Sequence, residues 1–257
     1  IFSDSTCDLS KELIERYDIT ILPLHILLGE EEFLDGVDIT PDEIYKWSDE
    51  HKTTPKTSAV SIEDVMKAAE PYLDHMSTSG NVMHMAAAEL EAEDRFHVIN
   101  SANLSTGIGL LVIEAAIMAK EGKASEEIIT KIEELKPLVR ASFVVDTLTY
   151  LYRGGRCSGL AALAGGALKL HPQIIVVDGA MKPAKKYRGN MLHVTLDYVK
   201  DMEKAMLNSH KDRVFITHSG SDPKVVQEVY DYLEGLHYFD EICITRAGGV
   251  VSSHCGY

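Results

Sequence analysis

Short apolar runs alternate with amphipathic stretches along the whole chain, and this alternation predicts strands and helices in a βα rhythm. Ile1-Phe2 reads as the end of a buried strand that runs into the polar turn Ser3-Asp4-Ser5-Thr6. Asp8 or Ser10 then caps a helix over residues 11–17. Residues 19–28 form the next apolar strand, and residues 30–38 an acidic, hairpin-like excursion. Thr40-Pro41-Asp42-Glu43 has the cap, the proline and the first-turn acids of a helix start; Trp47 on that helix belongs to a core or an interface. A hydroxyl-dense loop over 53–61 leads into a helix over 62–73 that Ser61 can cap. The next helix, residues 82–93, follows after a few polar residues, where the rhythm calls for a strand that the sequence does not supply. Residues 96–99 make a short buried strand, and a polar turn over 100–107 feeds helices over 108–120 and from Ser125 to about Leu135.

Pro137 marks a stop, beyond which the pattern changes. Strands are expected over 142–145, 174–177 and 181–187, the last two joined by Asp178-Gly179, a strong hairpin signal. Between them lie a helical turn at 148–151, a glycine-rich loop over 154–159 and a helix rich in small residues over 160–170. A helix over 191–207 and a strand over 214–217 follow, the strand ending in His218, Ser219 and Gly220. Pro223 opens a helix to Leu233. The last stretch, residues 242–256, reads as an apolar strand broken at Gly248-Gly249 and resuming through Val250-Val251, so that Ser252, Ser253, His254 and Cys255 arrive at a strand end. These elements predict an α/β protein of two domains. Residues 1–137 would form an N-terminal parallel α/β domain and residues 138–257 a C-terminal α+β domain with a mostly antiparallel sheet.

Composition narrows the partners. The formal net charge of −15 sets a repelling field against nucleic acid and anionic membranes. No apolar run reaches the roughly 18 to 20 residues of a membrane span, and IFSDSTCD lacks the charged start and apolar core of a signal peptide, so a cytoplasmic protein is expected. Cys7, Cys157, Cys243 and Cys255 are widely spaced, without a CxxC pair, which fits free thiols in a reducing compartment.

Candidate chemistry reduces to three readings. A nucleophile, Cys255 or a serine, with His254 or His218 as base, would make a hydrolase; neither a GxSxG elbow nor a favourable strand geometry supports it. Metal binding is unsupported, because none of the eleven histidines lies at HxH or HExxH spacing. No P-loop or GxGxxG motif is present, and Gly107-Ile108-Gly109 alone leaves a residual phosphate reading. The third is a binding site without chemistry of its own. Thr57-Ser58 and Ser79-Gly80, with His254, would hold an anionic head group while an apolar cavity takes a tail. Tail burial gains about 0.8 kcal/mol per methylene, far less than an unpaired buried carboxylate costs, so the head group needs several donors.

Eight stretches together resemble the DegV family of bacterial fatty-acid-binding proteins: DSTCDL (4–9), FLDGVDIT (33–40), KTSAVS (56–61), NLSTGIGLLV (103–112), ASFVVDTLTYLYRGGRCS (141–158), KKYRG (185–189), ITHSGSDP (216–223) and SSHCG (252–256). The resemblance implies one fatty acid bound between the two domains, with its carboxylate held by Thr57, Ser79 and His254. Proteins similar to this serve as the lipid-carrying component of a bacterial fatty acid kinase, whose separate ATP-binding subunit phosphorylates the carboxylate. The expected partners are therefore a long-chain fatty acid and that kinase subunit, with transient contact at a membrane surface compatible with the role. No cofactor, metal or catalytic turnover is expected of this chain alone. Arg156, Lys185, Lys186 and Arg188 are the candidate docking residues for the kinase; the plainer alternative is an exposed charged hairpin. The alternative function is a hydrolase acting on an acyl compound through Cys255 or a serine.

Overall fold

The computed structural model describes residues 1–69, 85–86, 88–89, 96–155 and 170–256. The chain begins with β1 (Phe2–Asp4), a short 3₁₀ turn (Ser5–Cys7) and α1 (Lys11–Tyr17), and returns in β2 (Thr20–Leu22), parallel to β1 with Phe2 opposite Thr20. Ser10, and not Asp8, caps α1 by accepting from the Leu13 N–H. Asp8 sits in the left-handed region (φ 50°), its side chain turned to another task. The single strand expected over 19–28 is two, because Pro23 has no N–H to give a sheet ladder. After it, β3 (His25–Leu28) and β4 (Glu31–Leu34) form a hairpin, and β5 (Lys56–Ser58) pairs antiparallel with the free side of β3. The loop expected at Thr57-Ser58 is thus an edge strand.

Between β4 and β5 lies α2 (Pro41–His51), held by the reciprocal Thr40/Glu43 capping box that its sequence announces. α3 (Ile62–Ala69) follows β5. Residues 96–99 contribute only a single bridge at Val98; of the helix expected over 82–93, residues 85–86 and 88–89 are described and helical, and the stretch before it, where the rhythm calls for a strand, lies outside the described residues. α4 (Thr106–Lys120) is buried on more than one side: Val112, Ile113 and Ala116 pack with α1 residues, whereas Leu111 and Ala115 pack with Ile128 and Ile132 of α5 (Ser125–Leu135). Pro137 lies in a 3₁₀ turn directly after α5.

The second half carries an antiparallel sheet of β6 (Ser142–Val144), β7 (Leu170–Val177) and β8 (Ala180–Arg188), in the order β6-β7-β8, with α6 (Thr149–Arg153) following β6. Asp178 (φ 53°) and Gly179 (φ 73°) make the β7–β8 turn; two successive positive φ values match the twist of a hairpin, which is why Asp-Gly announces it. α7 (Met191–Met206), β9 (Val214–His218), α8 (Pro223–Gly235) and β10 (Ile242–Arg246) follow, with β9 and β10 parallel. The protein is therefore α/β with parallel and antiparallel sheets, and a parallel pair occurs in each half. The β9–β10 ribbon is shared: Cys243 joins the core of α1 and α4, while Val214, Ile216 and Ile242 pack with α7 and α8.

The C-terminal stretch departs most from expectation. Residues 250–255 are not a strand but most of a helix, α9 (Gly249–Cys255). Gly248 and Gly249 let its first turn seat closely: a methyl on Gly249 would stand 2.6 Å from Ile44 Cδ1 and 2.7 Å from Ile26 Cδ1. Ser252 and Ser253 donate their hydroxyls to the carbonyls of Ala247 and Gly249, satisfying buried groups locally, and Val250 packs with Ile26, Ile39 and Ile44. Tertiary packing outweighs the strand preference of the two valines.

Candidate functional site

Strand pairing orients Thr57. It stands opposite Ile26, and directly opposed residues share a face of the sheet, so its side chain lies on the side where fully buried Ile26 meets Val250 of α9. Helical phase then brings His254, four residues after Val250, to the same side. Thr57 Oγ1 and His254 Nε2 share a hydrogen bond at 3.3 Å, joining residues 197 positions apart. Ser58 does not join them. It pairs with His25 on the opposite face and is exposed, because successive side chains alternate along a strand. The outer face instead holds His25, whose ring nitrogens lie 2.8 Å from Glu32 Oε1 and 3.0 Å from Asp64 Oδ2. Ser79 and Gly80 lie outside the described residues.

The pair is walled by α6, α2 and the chain end. A methyl on Gly154 would stand 2.4 Å from His254 Nδ1, and one on Gly256 would stand 2.5 Å from the Tyr150 ring. Both glycines let α6 and α9 approach. Tyr45 packs edge-on to Tyr150, and its hydroxyl reaches the carbonyls of Ser219 and Gly256; burial pushes its pKa up to about 12. Tyr45 is thus a neutral donor.

At the other end of α9, Gly248 N–H donates to Asp8 and Gly249 N–H to Asp35. Sequence reading missed these two acids, although both lie in the DSTCDL and FLDGVDIT stretches. The available signal was two aspartates, each beside an apolar run: Asp8, whose capping role Ser10 could fill, and Asp35 in a turn with no helix directly after it.

The candidate nucleophiles are poorly placed for attack. Burial pushes the Cys255 thiol up to about 12, with the Asp8 charge adding to it, and burial pushes Cys7 and Cys243 up to about 11. Ser252 and Ser253 are fully buried. His218, the other candidate base, has its pKa lowered by burial and by the Arg246 charge, and its Nδ1 accepts from Gly220 N–H. Among the described residues no group of three His, Cys, Asp or Glu side chains could hold a metal. No described helix is long and apolar enough to cross a membrane.

The basic residues of β8 divide between two faces. Lys185 pairs with Asp201 of α7 and lies 5.0 Å from the centre of the Tyr187 ring, whereas Lys186 and Arg188 alternate to the other side and are exposed. Lys185 therefore does not share a surface with Lys186 and Arg188. Arg156 lies outside the described residues. A cavity of about 390 Å³ opens beside the start of α7, lined by Asp146, His171, Gly189, Asn190 and Met191, none of them a candidate site residue.

Against known proteins, the family model described as "Uncharacterised protein, DegV family" matches residues 1–257. The chain belongs to the DegV family. A DegV domain-containing protein of Caldanaerobacter subterraneus subsp. tengcongensis is 36% identical over 213 residues, covering 78% of this chain and 76% of that one. The solved structure of a fatty-acid-binding DegV family protein from Thermus thermophilus superposes with a TM-score of 0.84 at 28% identity, covering 99% of this chain and 94% of that one. The Streptococcus pneumoniae fatty acid kinase B3 protein, solved loaded with linoleic acid, has a TM-score of 0.81 at 19% identity over 99% and 94% of the two chains, which shows a shared fold.

Proposed function

We propose that this DegV protein binds a single long-chain fatty acid and presents its carboxylate to a separate ATP-dependent kinase, without turnover of its own. The observation that carries the reading is the Thr57–His254 contact at 3.3 Å. The hydroxyl and the imidazole nitrogen spend one proton on each other in this bond; a carboxylate seated against them would replace it and take both as neutral donors, and the Ser79-Gly80 stretch would supply the rest. Buried anions need such donors, because an unpaired one costs far more than a tail gains per methylene. The two halves, 1–137 and 138–257, would enclose the tail between them, and Lys186 and Arg188 would face the kinase. The fatty-acid-binding relative from Thermus thermophilus supports the ligand class, and the shared fold of the kinase B3 protein is compatible with the partner.

The hydrolase alternative loses ground on chemistry. Cys255 is held far from its thiolate by burial, and the two serines beside His254 spend their hydroxyls on backbone carbonyls. Mass spectrometry of lipid extracted from natively purified protein tests the proposal: a stoichiometric long-chain fatty acid is expected. Lipid-free protein that turns over a p-nitrophenyl acyl ester in a His254-dependent way would overturn it.

A further inference from the structure

Asp8 and Asp35 come from different parts of the first half, yet both carboxylates close on the same turn of α9. Gly248 N–H donates to Asp8 Oδ1 at 2.7 Å and Gly249 N–H to Asp35 Oδ1 at 2.6 Å. The second oxygen of each acid takes a serine hydroxyl: Ser105 on Asp8 Oδ2 at 2.5 Å, and Ser5 on Asp35 Oδ2 at 2.7 Å. The two sites are chemically the same device, built twice. Both acids are buried, with 4% and 3% of their surface exposed. Among the described residues no lysine, arginine or histidine pairs with either.

Such an arrangement is a poor way to stabilise a fold. Burial raises the proton affinity of both carboxyls, the charge of Asp4 adds to each and that of Asp35 to Asp8, and no cation among the described residues pairs with either to offset the desolvation. What they do provide is position. A helix of seven residues has little stability of its own, so its place is set by what holds its ends. Here two N–H groups at its start are fixed by carboxyl oxygens, acceptors that suit the positive end of the helix. From Gly249 to His254 the helix rises about 7.5 Å, so a tilt of about 10° at the anchored end would move His254 by ~1.3 Å. That displacement is enough to break the 3.3 Å contact with Thr57.

We propose that Asp8 and Asp35 are positioning residues for head-group recognition, clamping the first turn of α9 so that His254 on its last turn meets Thr57. The inference rests on the fatty-acid reading of that pair and adds the device that keeps it in register. Ser5 and Ser105 orient the two acids.

The test uses the full chain with Asp8→Asn and Asp35→Asn, which keep shape and remove charge. Affinity is measured for hexadecanoic acid and for the fatty alcohol of the same length, which has the tail without the carboxylate. The imidazole NMR signals of His254, assigned with His254→Gln, are followed in parallel. Each variant is expected to lose about tenfold or more in acid affinity, to keep alcohol affinity within about twofold and to shift the His254 signals. Ser5→Ala and Ser105→Ala, which leave both acids in place, are expected to lose acid affinity in the same sense but less, and they carry the test if an Asn variant does not fold. Unchanged acid affinity with unmoved His254 signals in a cooperatively folded variant overturns the inference, as does equal loss for acid and alcohol. A wild-type chain that binds neither ligand defeats the fatty-acid reading instead, and the His254 signals in Asp35→Asn then decide the positioning role independently.

Discussion

Gly154, which closes α6, abuts the imidazole of His254: a methyl group added to this glycine would stand 2.4 Å from Nδ1. The hydrogen that a Cβ would replace cannot be exchanged for carbon without moving the ring or the chain around Gly154. Gly154→Ala is therefore expected to displace His254 from Thr57 and lower fatty-acid affinity by about tenfold, the worth of one charge-assisted hydrogen bond, while the chain stays folded. Titration with a long-chain fatty acid checks this. Affinity equal to wild type would mean that the ring has room that the geometry denies it.

The acids at the start of α9 make stability depend on pH in an unusual direction. Burial, with the charges of Asp35 and Asp4, pushes the Asp8 carboxyl up from 3.8 to about 7, against the opposing hydrogen bonds from Ser105 and Gly248. The folded state thus keeps a proton that the unfolded chain releases near pH 4. This contribution to stability is fully present below about pH 4 and is lost as pH rises through about 7. Asp35, also raised mainly by burial, adds in the same sense. Between about pH 5 and pH 8 the stability of Asp8→Asn relative to wild type is expected to rise, by at most roughly 3 kcal/mol. Denaturant unfolding at several pH values measures the difference. Two parallel curves would show that the carboxyl titrates alike in both states.

Lys186 and Arg188 share one face of β8, while Lys185 faces α7, where its charge and the Tyr187 hydroxyl hold the Asp201 carboxyl below the usual carboxylate range. If the exposed pair meets the kinase, Lys186→Glu with Arg188→Glu is expected to cut acyl-phosphate formation in the reconstituted system by tenfold or more, through weaker association, with fatty-acid binding intact. Lys185→Ala is expected to leave association with the kinase near wild type. Assays over a range of kinase concentrations separate association from chemistry. Equal effects from the two faces would count against a directional docking surface.

Local chemistry made much of the fold legible in the sequence. The Thr40/Glu43 box, Pro223 at a helix start and the Asp178-Gly179 turn each carry their structural reason within a few residues. Thr57 and His254 could be named from the resemblance, but their contact spans 197 positions and could not be read from spacing. Residues 250–255 escaped because paired valines favour a strand, and what makes them helical is the seat offered by Ile26, Ile44, Asp8 and Asp35, all distant in sequence. The separation of Thr57 from Ser58 likewise follows only once residues 56–58 are known to be a strand. Asp8 and Asp35 look like ordinary turn residues until α9 is seen to start on them.

The claim that Thr57 and His254 together hold a fatty-acid carboxylate is tested most directly by NMR of a carboxyl-labelled long-chain fatty acid bound to the protein. One slow-exchanging bound carboxyl resonance is expected, and Thr57→Ala and His254→Gln should each move it and weaken binding. A bound resonance that neither substitution shifts, or no bound resonance at all, would contradict the account.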